Sequence, residues 1–188
     1  MCLTAVAIHG LAATKSSSMM SILYFTEGKP MIDEETESWL LQGMEHVYPG
    51  KWETFAPGVG STVVTDGVGI LIIHNREDES LAVAGGVLSG LNYSEDLVRA
   101  MGKLNTSAVL GAYVLREGQR DYWSINYAIK LRYNWLDPRS RANTQLWCDV
   151  LGSVPSFVDR GIEEIQPNHG GERASIDEGW WFALMDSF

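Results

Sequence analysis

The sequence predicts an α+β domain in which an antiparallel sheet carries helices on one face. The elements run helix, three strands, helix, two strands, helix. Three observations predict this. Residues 122–131 alternate strictly: Trp123, Ile125, Tyr127, Ile129 and Leu131 point one way, and Tyr122, Ser124, Asn126, Ala128 and Lys130 the other. Asp66-Gly67 is a hairpin-turn pair between two runs rich in β-branched residues. Three stretches with helical apolar spacing each follow a capping residue, at Asp33, Ser94 and Asp137.

The elements follow in order. Asp33 caps the first helix, with Glu34 and Glu35 in the turn where the helix dipole favours anions. Trp39, Leu40, Met44 and Val47 form its apolar face, and Tyr48-Pro49-Gly50 stops it. Residues 51–60 carry two glycines and Pro57 and read as a loop with at most a short extended piece. Strands are expected at 61–65, 68–74 and 80–88, with Gly85-Gly86 marking a bulge or a close backbone approach. Ser94 caps the middle helix, whose stripe is Leu97, Val98, Met101 and Leu104. Residues 106–116 read as a strand, 117–121 as a hairpin loop, and 122–131 as the returning strand. Asp137-Pro138 starts the last helix, with Pro at its first position. Leu146, Trp147, Val150 and Leu151 form its buried face, Gly152 and Pro155 interrupt it, and a second helical piece with Phe157, Val158 and Ile162 runs to about residue 165.

The chain has 188 residues, enough for one domain with a proper core and tails. Its 45% apolar and 20% charged residues are globular values. A net charge of -10 argues against non-specific nucleic-acid binding and against anionic membrane surfaces, because both need cations. The two cysteines, Cys2 and Cys148, are too few for a disulfide-stapled secreted fold and fit a reduced cytoplasmic compartment. Cys148, beside Trp147, reads as a small buried apolar residue. Residues 3–13 are mildly apolar but lack a basic leader and fall short of the ~20 residues a membrane helix needs. The organisation expected is a flexible extension over 1–30, a domain over 31–166, and an acidic aromatic tail over 167–188 joined through the stretch 168–171. Met19, Met20 and Met31 are alternative starts, and residues 1–18 are expected to be poorly ordered or absent from the native protein.

The sequence carries few marks of chemistry. The glycines form neither GxxxxGK[ST] nor GxGxxG between a strand and a helix. None of His9, His46, His74 and His169 has another His or Cys at metal-ligand spacing. There is no Gly-x-Ser-x-Gly elbow. No catalytic residue, cofactor or metal site is assigned. The enzymatic alternative is a site in the loop 51–60 or near His74, which would need a deep pocket joining that histidine to acids.

The aromatic residues are more informative. Trp123, Tyr127, Tyr133, Trp135 and Trp147 cluster late in the domain and read mainly as core. The tail holds Trp180-Trp181-Phe182, Leu184 and Met185, a patch that either folds back onto the domain or docks on another chain.

Residues 33–165 resemble the bacterial YbjN-type proteins and, through them, the type III secretion chaperone-like fold. Leu104-Asn105 stands where that family closes its middle helix. Gly111-Ala112-Tyr113-Val114-Leu115 matches its Gly-aromatic strand, and the turn, alternating strand and apolar-faced last helix complete the match. Residues 124–127, Trp135-Leu136 and the aromatic tail fall outside the family pattern. The resemblance implies a small, acidic, often dimeric protein that holds a partner chain or regulates a pathway.

The expectation is therefore a non-enzymatic protein-binding domain, chaperone-like or a regulatory adaptor, acting as a homodimer. An antiparallel sheet with helices on one side leaves its other face available. Tyr122, Ser124 and Asn126 are the candidate partner-binding residues on that face, with Trp180 and Trp181 as contributors. A structural subunit of a larger assembly is the remaining alternative.

Overall fold

The structure is a computed structural model and describes residues 33–56, 60–75, 79–117, 122–135 and 137–174. The expected extension over 1–30, with its alternative starts, lies outside them. So do the hairpin loop at 118–121 and the tail residues Trp180 and Trp181.

Helix α1 spans Glu34–Val47, and the Asp33 carboxylate accepts from the Thr36 amide at 2.7 Å, as a capping Asp should. Four strands follow: β1 Trp52–Ala56, β2 Gly60–Thr65, β3 Val68–Asn75 and β4 Ser80–Leu91. Helix α2 spans Glu95–Thr106, with Ser94 accepting from the Leu97 amide at 3.1 Å. Strands β5 Ala112–Glu117 and β6 Trp123–Arg132 come next, then a 3-10 turn over Tyr133–Trp135. Helix α3 spans Arg141–His169, and a two-residue strand β7, Glu172–Arg173, ends the described chain. The sheet order is β1-β2-β3-β4-β6-β5, with β7 beside β4, and every pairing is antiparallel.

The fold is the α+β architecture expected, with six local differences. The stretch read as a loop at 51–60 contributes a full edge strand, in which Trp52 pairs with Val63 and Thr54 with Ser61. Its strand character comes from that partner, which local propensity does not report. Residues 107–111 are not strand. Gly111, at φ 73°, turns the chain into β5, and the Asn105 side chain holds it there. Asn105 accepts from the Tyr113 amide at 2.6 Å and donates to the Tyr113 carbonyl at 3.0 Å, standing in for a neighbouring strand. Val98 is 43% exposed and sits outside the buried stripe of α2, which is Leu97, Met101 and Leu104.

The remaining differences concern α3. Asp137 holds a turn before the helix, accepting from the Arg139 amide at 2.9 Å, and Ser140 is the actual cap. Pro155 does not break the helix. A proline has no N–H, so the Leu151 carbonyl four residues back lacks its helical donor. The buried Tyr48 hydroxyl donates to that carbonyl at 2.5 Å. The orphaned acceptor is thereby satisfied, and Arg141–His169 runs through as one helix. The helix continues past residue 167 and β7 rejoins the sheet, so residues 167–174 belong to the folded body.

The core lies between α3 and the sheet. Trp147, Val150, Leu151, Val154 and Val158 are fully buried. The Trp147 indole donates to the Leu40 carbonyl at 3.0 Å, and the Trp39 indole donates to Thr144 at 2.9 Å, so α1 is pinned to α3 by two aromatics with satisfied polar ends. Gly43 leaves room for this: a Cβ there would lie 2.3 Å from the Trp147 ring. Cys148 is half-buried rather than buried, because Trp147 takes the inward position, and burial pushes its thiol pKa up.

Candidate protein-binding face

Directly paired residues in a sheet share a face, so the register separates two sides. On the helix side, Ile70 pairs with Gly85 and Gly85 with Tyr127. A Cβ on Gly85 would lie 2.7 Å from Val158 and 2.8 Å from Val154, so α3 rests directly on the backbone of β4 there. The expected close approach at Gly85-Gly86 is met, and a register shift follows between Gly86 and Leu88. The predicted inward set of β6 lies on this side: Ile125, Tyr127, Ile129 and Leu131 are buried and Trp123 partly so.

The second side is built differently. Leu71 pairs with Ala84, Ala84 with Ala128, and Ala128 with Ala112. One row to either side lie Ile73, Ala82 and Lys130, and Gly86, Asn126 and Val114. The centre is therefore a shallow floor of methyl groups and backbone, bordered by Leu71 and Ile73. A bulky side chain or a helix can approach such a floor more closely than it can approach the leucines and isoleucines of the helix side.

The predicted contact residues are distributed unevenly over this face. Ser124 and Asn126 do share it, two residues apart on β6. Ser124 is half-buried and pairs with Arg116. Asn126 shares a row with Gly86 and Val114 and is only 3% exposed. Tyr122 precedes β6 and is 50% exposed. The sequence reading placed Ala128 on this face but missed Leu71, Ala82 and Ala84. Their signal was present: Ala82, Ala84 and Gly86 alternate in one strand and Ala128 stands opposite Ala84, but that register emerges only from the pairing.

The described residues around His74 do not form the deep pocket that an enzymatic site there would need. His74 lies on the helix side near Glu37 and Leu40 of α1, with Nδ1 2.6 Å from the Tyr133 hydroxyl oxygen. Burial pushes its pKa down to about 4, against a weaker upward pull from Glu37. The free space beside it is about 10 Å³, at the lower limit for one water. In the loop expected to hold the other site, residues 52–56 form β1, and Trp52 lines an open cavity of about 400 Å³ with Glu34, Glu37 and Glu45 of α1. Among the described residues no group of three or more His, Cys, Asp or Glu side chains could hold a metal ion. No helix among them is long and apolar enough to cross a membrane.

No model of a known protein family matches the chain, and no curated protein matches its sequence. Among solved structures it is similar to a crystal structure of YbjN from E. coli, at 14% identity and a TM-score of 0.46, over 68% of this chain and 88% of that one. That protein is of the YbjN type that the sequence resembles.

Proposed function

We propose that this chain is a non-enzymatic protein-binding domain, chaperone-like or a regulatory adaptor, that works through the sheet face opposite its helices. The observation that supports the reading is the asymmetry of the sheet. All three described helices pack on one side, and the other side is a shallow apolar floor at Leu71, Ala84 and Ala128. A floor of this shape takes an apolar peptide or an amphipathic helix, with binding energy coming from buried area. Ser124 and the exposed Tyr122 stand at its β6 end as polar and aromatic rim residues. Asn126, two residues from Ser124 on the same face, completes the polar part of the proposed contact surface.

The accompanying expectations are a cytoplasmic location, a homodimer, and no cofactor. The charge of -10 supports a protein partner over nucleic acid or an anionic membrane. The test is affinity capture from native lysate with the full chain and with its Ala84→Arg variant, alongside light scattering. A stoichiometric partner retained by the parent and lost by the variant supports the role. Equal capture by both, or capture by neither, overturns it.

A further inference from the structure

The second face is buried at its centre, although every described helix lies on the other side. Leu71 is 2% exposed, Ala82 2%, Ala84 1% and Asn126 3%. A leucine on a bare sheet face keeps a substantial part of its side chain in water, because its strand neighbours flank it without roofing it. These values belong to a covered surface. We propose that the cover is the chain's own C-terminal segment, residues 175–188, with Trp180, Trp181 and Phe182 lying on the alanine floor. That segment is then a resident ligand of the face, which a partner must displace.

Where the described chain ends supports this occupant. Strand β7 pairs with β4 at Leu88 and Ser89, on the same edge of β4 as β3 and in line with it. The Ala174 amide then donates to the Val87 carbonyl at 3.2 Å, and Ala174 is 4% exposed. The described chain therefore ends at the sheet itself. By contrast, the described chain begins at the exposed cap of α1, a helix packed on α3.

Length and composition agree. Fourteen residues reach roughly 46 Å when extended, and a six-stranded sheet is only about 24 Å wide. The segment carries Trp180, Trp181, Phe182, Leu184 and Met185, large side chains that suit a floor of methyl groups. Its acids, Asp177, Glu178 and Asp186, match the cations Arg116 and Lys130 on the β5–β6 side of the face, while Glu53 lies away on β1.

The regulatory half of the proposal rests on the binding role above, whereas the placement of the segment does not. The test uses the full chain with a photoreactive p-benzoylphenylalanine at Trp181 or, separately, at the exposed rim residue Val64. Equal amounts of unlabelled and ¹⁵N-labelled protein are mixed before irradiation, and the cross-linked peptides are mapped by mass spectrometry. The expected result is links within one chain, from position 181 to 68–75, 80–91 or 123–132, and from position 64 to 175–188. Links from position 64 to residues 1–32, links between chains, links to the helices alone, or none would each overturn the placement. For the regulatory half, a Trp180→Ala/Trp181→Ala variant should capture several-fold more partner than the parent. Unchanged or reduced capture would overturn displacement. Intact intrachain links with no capture by either protein would overturn the binding role and leave the placement standing.

Discussion

The two faces of the central strands are made from alternate residues of the same sequence, yet they are closed in different ways. On the helix side, α3 lies close enough to β4 that Gly85 cannot carry a side chain. The opposing residues, Val154 and Val158, are fully buried. On the other side, Ala84 sits one residue away and belongs to a floor of small groups opposite the described helices. The contrast teaches that burial alone does not define a core. The helix face is locked by interdigitation and by hydrogen bonds from buried tyrosine and tryptophan. The second face has low exposure without a described partner layer, the condition expected of a surface with a replaceable occupant.

The largest expected effect probes the locked side. Trp147→Ala removes a fully buried indole and its bond to Leu40, and should destabilise the fold by about 3–5 kcal/mol. Chemical denaturation measures it, and a loss under about 1 kcal/mol would break the claim that α1 and α3 are pinned there.

The His74 site sharpens the comparison through pH. Its pKa is about 4 in the fold against 6.5 ordinarily. Between those values the unfolded chain binds a proton that the folded chain refuses, so stability is complete above pH 6.5 and falls as pH drops through the window. The loss reaches at most about 3 kcal/mol. His74→Gln should flatten this part of the stability profile, and an unchanged slope in the variant would place the titration elsewhere.

The bond that carries α3 through Pro155 comes next. Tyr48→Phe leaves the Leu151 carbonyl buried without its donor, at a cost of about 1–2 kcal/mol. Pro155→Ala restores a backbone N–H four residues on, so the double variant should recover most of that loss. A double-mutant cycle with no coupling would contradict the account of how the helix passes its proline.

The smallest effect belongs to the rim of the second face. Val64 is 49% exposed, and Val64→Ala should shift stability by no more than about 0.5 kcal/mol. A larger loss on thermal denaturation would mean that the locked layer extends around the sheet edge.

Much of this fold was legible in the sequence. Alternation in 122–131 identified β6 and its inward face, and Asp66-Gly67 gave a turn with both residues at positive φ, 50° and 75°. The caps at Asp33 and Ser94 are met by direct hydrogen bonds. What escaped depended on contacts far along the chain. Strand β1 exists because β2 is beside it. Pro155 lies mid-helix because Tyr48, 103 residues closer to the start than Leu151, supplies the missing donor. The second face was half legible: the outward residues of β6 were named, but its floor needed the register of β3, β4 and β6 to bring Leu71, Ala84 and Ala128 into one row.

Ala84 and Gly85 are adjacent and point to opposite faces, so they allow the most direct test of this two-sided account. The measurement is the thermal unfolding of Ala84→Leu and Gly85→Leu, each in the full chain. The account predicts that Gly85→Leu fails to fold or loses more than about 3 kcal/mol, because α3 has no room to move. It predicts that Ala84→Leu stays folded within about 1.5 kcal/mol of the parent, because its cover can shift. Equal and large losses at the two positions would contradict it, and would show that both faces of the sheet are fixed core.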